Sequence, residues 1–291
     1  MKYLAFILLG LTTSQTGERV VEQARSFFTW ETILVAVVSF LLGVGFHYLL
    51  AFKIIPNRHH IYVWWFVLRN HGKLGEPCKT DQILKRQGYS LGYSYKHKTA
   101  LWVSYIVSKQ SVDIDVDRAE SFYADTDIPE NYRVKPEDYT NSGYDKGHLA
   151  PSAAIDFSRK SNDETFAMTN VALQNPKLNR QVWSSLEDLE RTQTAVKGKL
   201  GIITGPVFSS RPRKVNDISI PKAFYKVIYS FQHKKSIGFV FPNEDIKAAD
   251  LWKYAMTVQE VETETGYTFF NKLGNKGKTI KKKIDLEWWQ N

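Results

Sequence analysis

Apolar positions crowd into three blocks near the N-terminus and only then begin to alternate with polar ones. Tyr3–Leu11 is apolar over nine residues behind a single Lys2, too short to cross a bilayer and only a weak match to the core of a signal peptide. Thr32–Ile55 is 24 residues long, with His47 and Lys53 as its only basic side chains and no acidic one. At a rise of ~1.5 Å per residue such a helix exceeds the ~30 Å of a hydrocarbon core, so the block predicts a transmembrane helix over about 32–55. Gly43 and Gly45 are tolerated in membrane helices, and Trp30 and Tyr48 lie near its ends as interfacial anchors. Ile61–Leu68 is a third apolar run, and residues 69–79 (RNHGKLGEPCK) read as a linker. The pattern divides the chain into an N-terminal anchor region, 1–71, and a globular domain, 72–291.

Within the globular part the period changes from block to alternation. Leu101–Ser108 is rich in β-branched and aromatic residues, and alternation puts Leu101, Val103, Tyr105 and Val107 on one face of a strand. Leu200–Phe208, Phe224–Phe231 and Ser236–Phe241 are further strands bounded by Gly, Pro or basic turns. In Asn179–Ala195, Val182, Leu186 and Leu189 recur at helical spacing just after Pro176, which predicts an amphipathic helix. A second helix is expected over Ile246–Glu264, stopped near Gly266. Strands broken by helices, without regular alternation and without a Gly-rich phosphate loop, define an α+β domain rather than a nucleotide-binding α/β fold.

Composition narrows the function classes. With 43% hydrophobic and 24% charged residues the chain is not disordered. Lys and Arg number 39 against 30 Asp and Glu, a net charge of +9, which favours an acidic partner such as nucleic acid or anionic lipid. The single cysteine, Cys78, excludes an intrachain disulfide and any multi-thiolate metal centre. A metal would have to be held by nitrogen and oxygen.

The chemistry concentrates between residues 144 and 191. Tyr144-Asp145-Lys146-Gly147-His148-Leu149-Ala150-Pro151 is followed by Thr169-Asn170 with Gln174, and then by Asn179 and Glu187 on the expected helix. On an α-helix, Asn179, Trp183, Glu187 and Arg191 fall four apart and share a stripe distinct from the Val182/Leu186/Leu189 core stripe. An amide and a carboxylate on one face suit a hard cation such as Mg2+, which takes oxygen ligands and keeps much of its water.

These residues strongly resemble the DNA/RNA non-specific endonuclease family, the ββα-metal nucleases. The family signature is an Asp-Arg-Gly-His block, an Asn in a Thr-Asn-x-x-x-Gln segment, and an Asn and a Glu eight residues apart on a helix. Asp145-Lys146-Gly147-His148 matches with Lys in place of Arg, and Thr169-Asn170, Gln174, Asn179 and Glu187 match the rest. The resemblance spans roughly Gln82–Phe270. It implies a ββα-metal nuclease fold with a central antiparallel sheet flanked by helices, here preceded by the N-terminal transmembrane helix. It also implies a metal-dependent, sugar-non-specific endonuclease hydrolysing the phosphodiester bonds of DNA and RNA. In that reading His148 is the general base, Asn179 the direct ligand of a hydrated Mg2+ (Mn2+ as the substitute), and Glu187 orients metal-bound water. Asn170 holds His148 or a metal water, Lys146 and Arg191 offset phosphate charge, and Arg118 and Gln174 contact substrate or brace the loop. Asp145 is expected to fix its turn through the backbone. His97 and His233 have no partners in sequence, and the lysines Lys272, Lys276, Lys278 and Lys281–Lys283 are a solvated face or an extension of a basic track.

Two other classes fit the composition: a catalytically silent membrane-tethered nucleic-acid-binding protein, and a phosphodiesterase on a lipid or small phosphoester. Intact His148, Asn179 and Glu187 argue against the first. Basic residues flanking the apolar block are Arg19 and Arg25 on one side and Lys53, Arg58, Arg69 and Lys73 on the other, a slight positive-inside bias towards a cytoplasmic domain. A non-specific nuclease is hazardous beside a chromosome, so an extracytoplasmic domain is expected instead, periplasmic or in a mitochondrial intermembrane space. Assembly as a homodimer is left open.

Overall fold

The computed structural model describes residues 71–291, except Asp115 and Glu120, together with Leu34 and residues 37–43. Two compact units divide at Arg58/His59. In the first, Leu34 and residues 37–43 are helical and exposed. Most of the transmembrane helix expected over 32–55 lies outside the described residues, and among the described residues no helix is long and apolar enough to cross a membrane.

The second unit is built on a seven-stranded sheet. Its strands are β1 (Gln82–Lys85), β2 (Tyr89–Ser94), β3 (Thr99–Val107), β6 (Leu200–Val207), β9 (Ala223–Ser230), β10 (Lys235–Pro242) and β11 (Ala255–Met256), hydrogen-bonded in that order. Every neighbouring pair is antiparallel. Two small ribbons stand apart from it: β4 (Asp145–His148) with β5 (Val171–Gln174), and β7 (Lys214–Val215) with β8 (Ile218–Ser219). The four strands read from alternation appear within two residues of their expected ends. Both faces of the sheet are covered, so β6 and β9 are buried along their whole length. Leu91, Val103, Ile202, Phe224, Ile228 and Phe239 belong to one core, and Trp102, Ile203, Tyr225, Val227, Val261 and Phe269 to the other. The α+β expectation and the central antiparallel sheet are therefore correct.

The helices differ from expectation in two places. Pro176–Leu178 forms one α turn, Asn179–Trp183 a π-helical turn, and Ser184–Lys197 the long helix, called α3 after α1 (Lys109–Val112) and α2 (Arg159–Thr165). Asn175 caps the start, its side-chain oxygen accepting from the Lys177 and Leu178 amides at 2.9 and 3.3 Å. Pro176 stands at the first helical position, where its missing N–H costs nothing. The segment is thus helical as expected, but the π turn inserts an extra residue into the register. The second expected helix, 246–264, is broken instead. A 3-10 helix over Ala248–Tyr254 gives way to the edge strand β11, and α4 (Val258–Thr265) restarts from a Thr257/Glu260 capping box. Gly266, with φ of 71°, ends α4 where the sequence placed the stop.

Candidate active site

The β4–β5 ribbon and the π turn face each other across a cleft of about 590 Å3, lined by Arg118, Phe122, Asp145, Lys146, His148, Asn179, Arg180, Ser184 and Glu187. The ribbon is held from behind. Gly147 pairs with Ala172, and a Cβ on it would come within 2.1 Å of the Gln174 side-chain oxygen, so only glycine fits. The buried Asn170 side chain accepts from the Ala150 amide at 2.9 Å and donates to the Ala150 and Thr165 carbonyls, both at 2.9 Å. It therefore fastens the chain leaving His148. All three partners are backbone atoms, so Asn170 bears on His148 through the main chain. Gln174 is fully buried against Gly147 and braces the ribbon.

His148 sits in an aromatic box. Its ring centroid is 5.1 Å from Phe122 and 5.0 Å from Phe166. Nε2 is sealed without a hydrogen-bond partner, which leaves Nδ1 as the nitrogen presented to the cleft. Burial pushes the imidazole down to about 3, and the Arg118 guanidinium adds to the shift. The side chain is accordingly a neutral imidazole at physiological pH, its value well below the ordinary ~6.5. Two cations flank the box: Lys146 Nζ lies 5.7 Å from the Phe122 centroid and the Arg118 guanidinium carbon 5.3 Å from that of Phe166. The loop carrying Arg118 and Phe122 is pinned by the Ala119 amide on Asn162 (2.9 Å). The buried Asp125 secures it further, accepting from Thr169 at 2.6 Å and from Arg86 at 2.5 Å.

Opposite the box, Asn179 donates from Nδ2 to Asp145 Oδ2 at 3.0 Å. That bond fixes the amide and leaves its oxygen free to accept or to ligate. Arg180 closes a two-pronged pair on the same carboxylate, at 2.8 and 2.7 Å. Asp145 thus acts through the side chains of the facing helix, in contrast to the backbone role expected of it. The π turn changes which residues share the face. The expected stripe of Asn179, Trp183, Glu187 and Arg191 is replaced in the cleft by Asn179, Arg180, Ser184 and Glu187. Trp183 is 1% exposed and packs edge-on against Phe224 and Phe241. Arg191 is not among the cleft residues and pairs with Asp188. Glu187 is half-buried, and desolvation pushes its carboxyl up to about 7 against the pull of Lys226.

Five of the expected residues therefore meet at one cleft: His148, Lys146, Asn179, Glu187 and Arg118. Asn170 and Gln174 stand behind it, and Arg191 beyond it. Phe122, Phe166, Arg180 and Ser184 were missed. Arg180 was open to notice beside Asn179, but Phe122 and Phe166 carry no local signal that distinguishes them from core residues. His97 and His233 lie elsewhere, His97 bonded to Ser219 at 3.0 Å and stacked on Phe208, and His233 against Trp288.

A half-buried, neutral imidazole sharing one cleft with an oriented amide oxygen and a carboxylate, beside two cations, suits the hydrolysis of an anionic ester. The fold and site are those of a nuclease. The profile of the DNA/RNA non-specific endonucleases matches residues 70–276. A nuclease of Syncephalastrum racemosum is 33% identical over 227 residues, covering 69% of this chain and 71% of that protein. Human mitochondrial endonuclease G is 30% identical over 205 residues, covering 65% and 69%. A crystal structure of the EndoG/EndoGI complex superposes with a TM-score of 0.64 at 27% identity, covering 73% of this chain and 92% of that one. The chain belongs to the DNA/RNA non-specific endonuclease family, and is an enzyme of the hydrolase class, an endonuclease.

Proposed function

We propose that this protein is a divalent-metal-dependent, sugar-non-specific endonuclease of DNA and RNA. The observation that carries the reading is the meeting of His148, Asn179 and Glu187 with Lys146 and Arg118 at one cleft. Among the described residues no group of three His, Cys, Asp or Glu forms a metal cage. The donor set is instead the Asn179 amide oxygen, aimed by Asp145, with the desolvated Glu187 carboxylate in the same cleft. Few protein oxygens around a roomy polar site suit Mg2+, or Mn2+ in its place, which bind with one or two protein groups and retain water. When bound there, the ion supplies positive charge at the scissile phosphate and an acidic water for the leaving oxygen. Asn179 is the residue assigned to hold it, and Glu187 to accept hydrogen bonds from its water.

The remaining roles belong to this chain's own side chains. His148 takes a proton from the attacking water at Nδ1. Its low proton affinity keeps it unprotonated, and an approaching phosphate offsets the Arg118 repulsion that contributes to the shift. Lys146 and Arg118 place positive charge on either side of the imidazole, where a phosphate gains charge-assisted contacts. None of these groups reads a base edge, so cleavage is expected to be weakly sequence-selective.

We further propose that residues 1–71 tether the nuclease domain, 72–291, to a membrane through about 32–55, with the domain outside the cytoplasm. The apolar length of that block and the hazard of a non-specific nuclease beside a chromosome support this reading. The central test is cleavage of supercoiled plasmid and of RNA by the full-length chain with Mg2+, Mn2+ or EDTA. Both substrates are expected to be cut, and EDTA to stop the reaction. His148→Ala should cost ~10²–10⁴ in rate while DNA affinity is retained. A variant that keeps more than about half of the activity removes His148 from the base role.

A further inference from the structure

Lys226 occupies a position where the sheet calls for an apolar residue. It follows Phe224 and precedes Ile228 on the same face of β9, in a strand buried end to end. Its ammonium is fully buried. Nζ lies 2.5 Å from Glu190 Oε1 of α3 and donates to the Tyr105 hydroxyl of β3 at 3.3 Å. Tyr105 in turn donates to Glu190 Oε2 at 2.6 Å. The same ammonium stands 4.4 Å from the ring centroid of Trp183, the last residue of the π turn.

Such a network is poorly explained by stability. Desolvating an ammonium and a carboxylate costs several kcal/mol before their attraction is counted, and well-packed apolar replacements of buried ion pairs are often neutral or stabilising. What the network does supply is register. One ammonium grips the helical segment at two points, residue 183 in the π turn and residue 190 in α3. Ser184 and Glu187 lie between those points, and Asn179 one π turn before the first. A π turn holds an extra residue, and its loss would rotate Asn179 by about 100° relative to Glu187, since each residue advances an α-helix by that angle.

We propose that Lys226 is a positioning residue for the cation-facing helix: by holding Trp183 and Glu190 at once, it keeps Asn179, Ser184 and Glu187 on the same side of the cleft. The proposal rests on the reading of that cleft as the divalent-metal site. It makes no contact with substrate itself.

The test compares the full-length protein with Lys226→Met/Glu190→Met, which removes both charges and retains the volume, so that no unpaired buried charge is left to unfold the chain. Three quantities are measured: thermal melting, Mn2+ binding without substrate by the EPR signal of the free ion, and the Mg2+ concentration for half-maximal plasmid cleavage. The double variant is expected to melt within about 4 °C of the parent, a shift of ~1–2 kcal/mol for a domain of this size. Its Mn2+ and Mg2+ half-saturation points should nevertheless rise by ~10–100-fold, the usual cost of losing a group that orients a ligand from behind. Parental Mn2+ affinity in the double variant overturns the role of Lys226 and leaves the metal reading standing. A parent that binds no Mn2+ overturns the metal reading itself, and the positioning role with it.

Discussion

At the residue scale, the environment of His148 makes a protonation prediction that does not depend on activity. Its folded-state value of about 3 lies below the ordinary 6.5. Above pH 6.5 both folded and unfolded chains carry a neutral imidazole and the group has no effect on stability. Below it the unfolded chain takes up a proton that the folded chain refuses, so stability falls by ~1.4 kcal/mol per pH unit until the folded group also titrates near pH 3. The metal-free protein should therefore lose melting temperature faster than His148→Gln as pH drops from 6.5 to 4. Parallel melting curves for the two proteins would show that the imidazole is not desolvated.

Lys146 stands where the family carries Arg, and its ammonium faces the cleft beside Phe122. Lys146→Arg should keep or raise activity at matched salt, because charge is preserved and a planar fork is added. Lys146→Met should lower it by about one to three decades, given ~4 kcal/mol between unit charges at ~4 Å and an effective dielectric of ~20 before solvent relaxation. Cleavage by Lys146→Met at the parental rate would put the side chain outside the reacting region.

At the element scale, the β4–β5 ribbon leaves no room for a side chain at Gly147. Gly147→Ala would drive a methyl group into Gln174, with contacts of 2.1 Å to its oxygen and 2.6 Å to its Cβ. The substitution should destabilise the domain by ~1–3 kcal/mol, the usual cost of overpacking. Gln174→Ala, by opening that space, should recover most of the loss when combined with it. A double variant no more stable than Gly147→Ala would refute the contact as the cause. The π turn explains why one sequence-based expectation failed. Spacing of four residues placed Trp183 and Arg191 beside Asn179 and Glu187, but that arithmetic assumes 3.6 residues per turn throughout. Nothing in NRQVW announces an extra residue. Trp183, at the end of that turn, is buried against Phe224 and Phe241.

At the scale of the whole molecule, the proposed anchor and the nuclease domain are separable expectations. Full-length protein should sediment with membranes and resist alkaline carbonate, whereas a chain beginning at Gly72 should remain in solution. Recovery of the full-length chain in the soluble fraction would overturn the tether. The net charge of +9 on the whole chain supports attraction to polyanions.

Much of this protein was legible along the chain because the relevant forces are local. Alternation in Leu101–Ser108, Leu200–Phe208, Phe224–Phe231 and Ser236–Phe241 marks strands, since a pleated backbone sends successive side chains to opposite faces. The Asp145–His148 block, Asn179 and Glu187 were recognisable because their chemistry is tied to fixed spacings. What the tertiary structure alone decided depends on distances between elements far apart in sequence. The Phe122–His148–Phe166 box seals one edge of the imidazole and, with Arg118, lowers its proton affinity. Asp145 turns the Asn179 amide from 34 residues away. Lys226 lies under a helix that ends 29 residues before it, at Lys197. Periodicity specifies which face of an element is buried. It carries no account of which polar groups meet once those faces close, because desolvation and hydrogen-bond geometry arise only when the elements are packed.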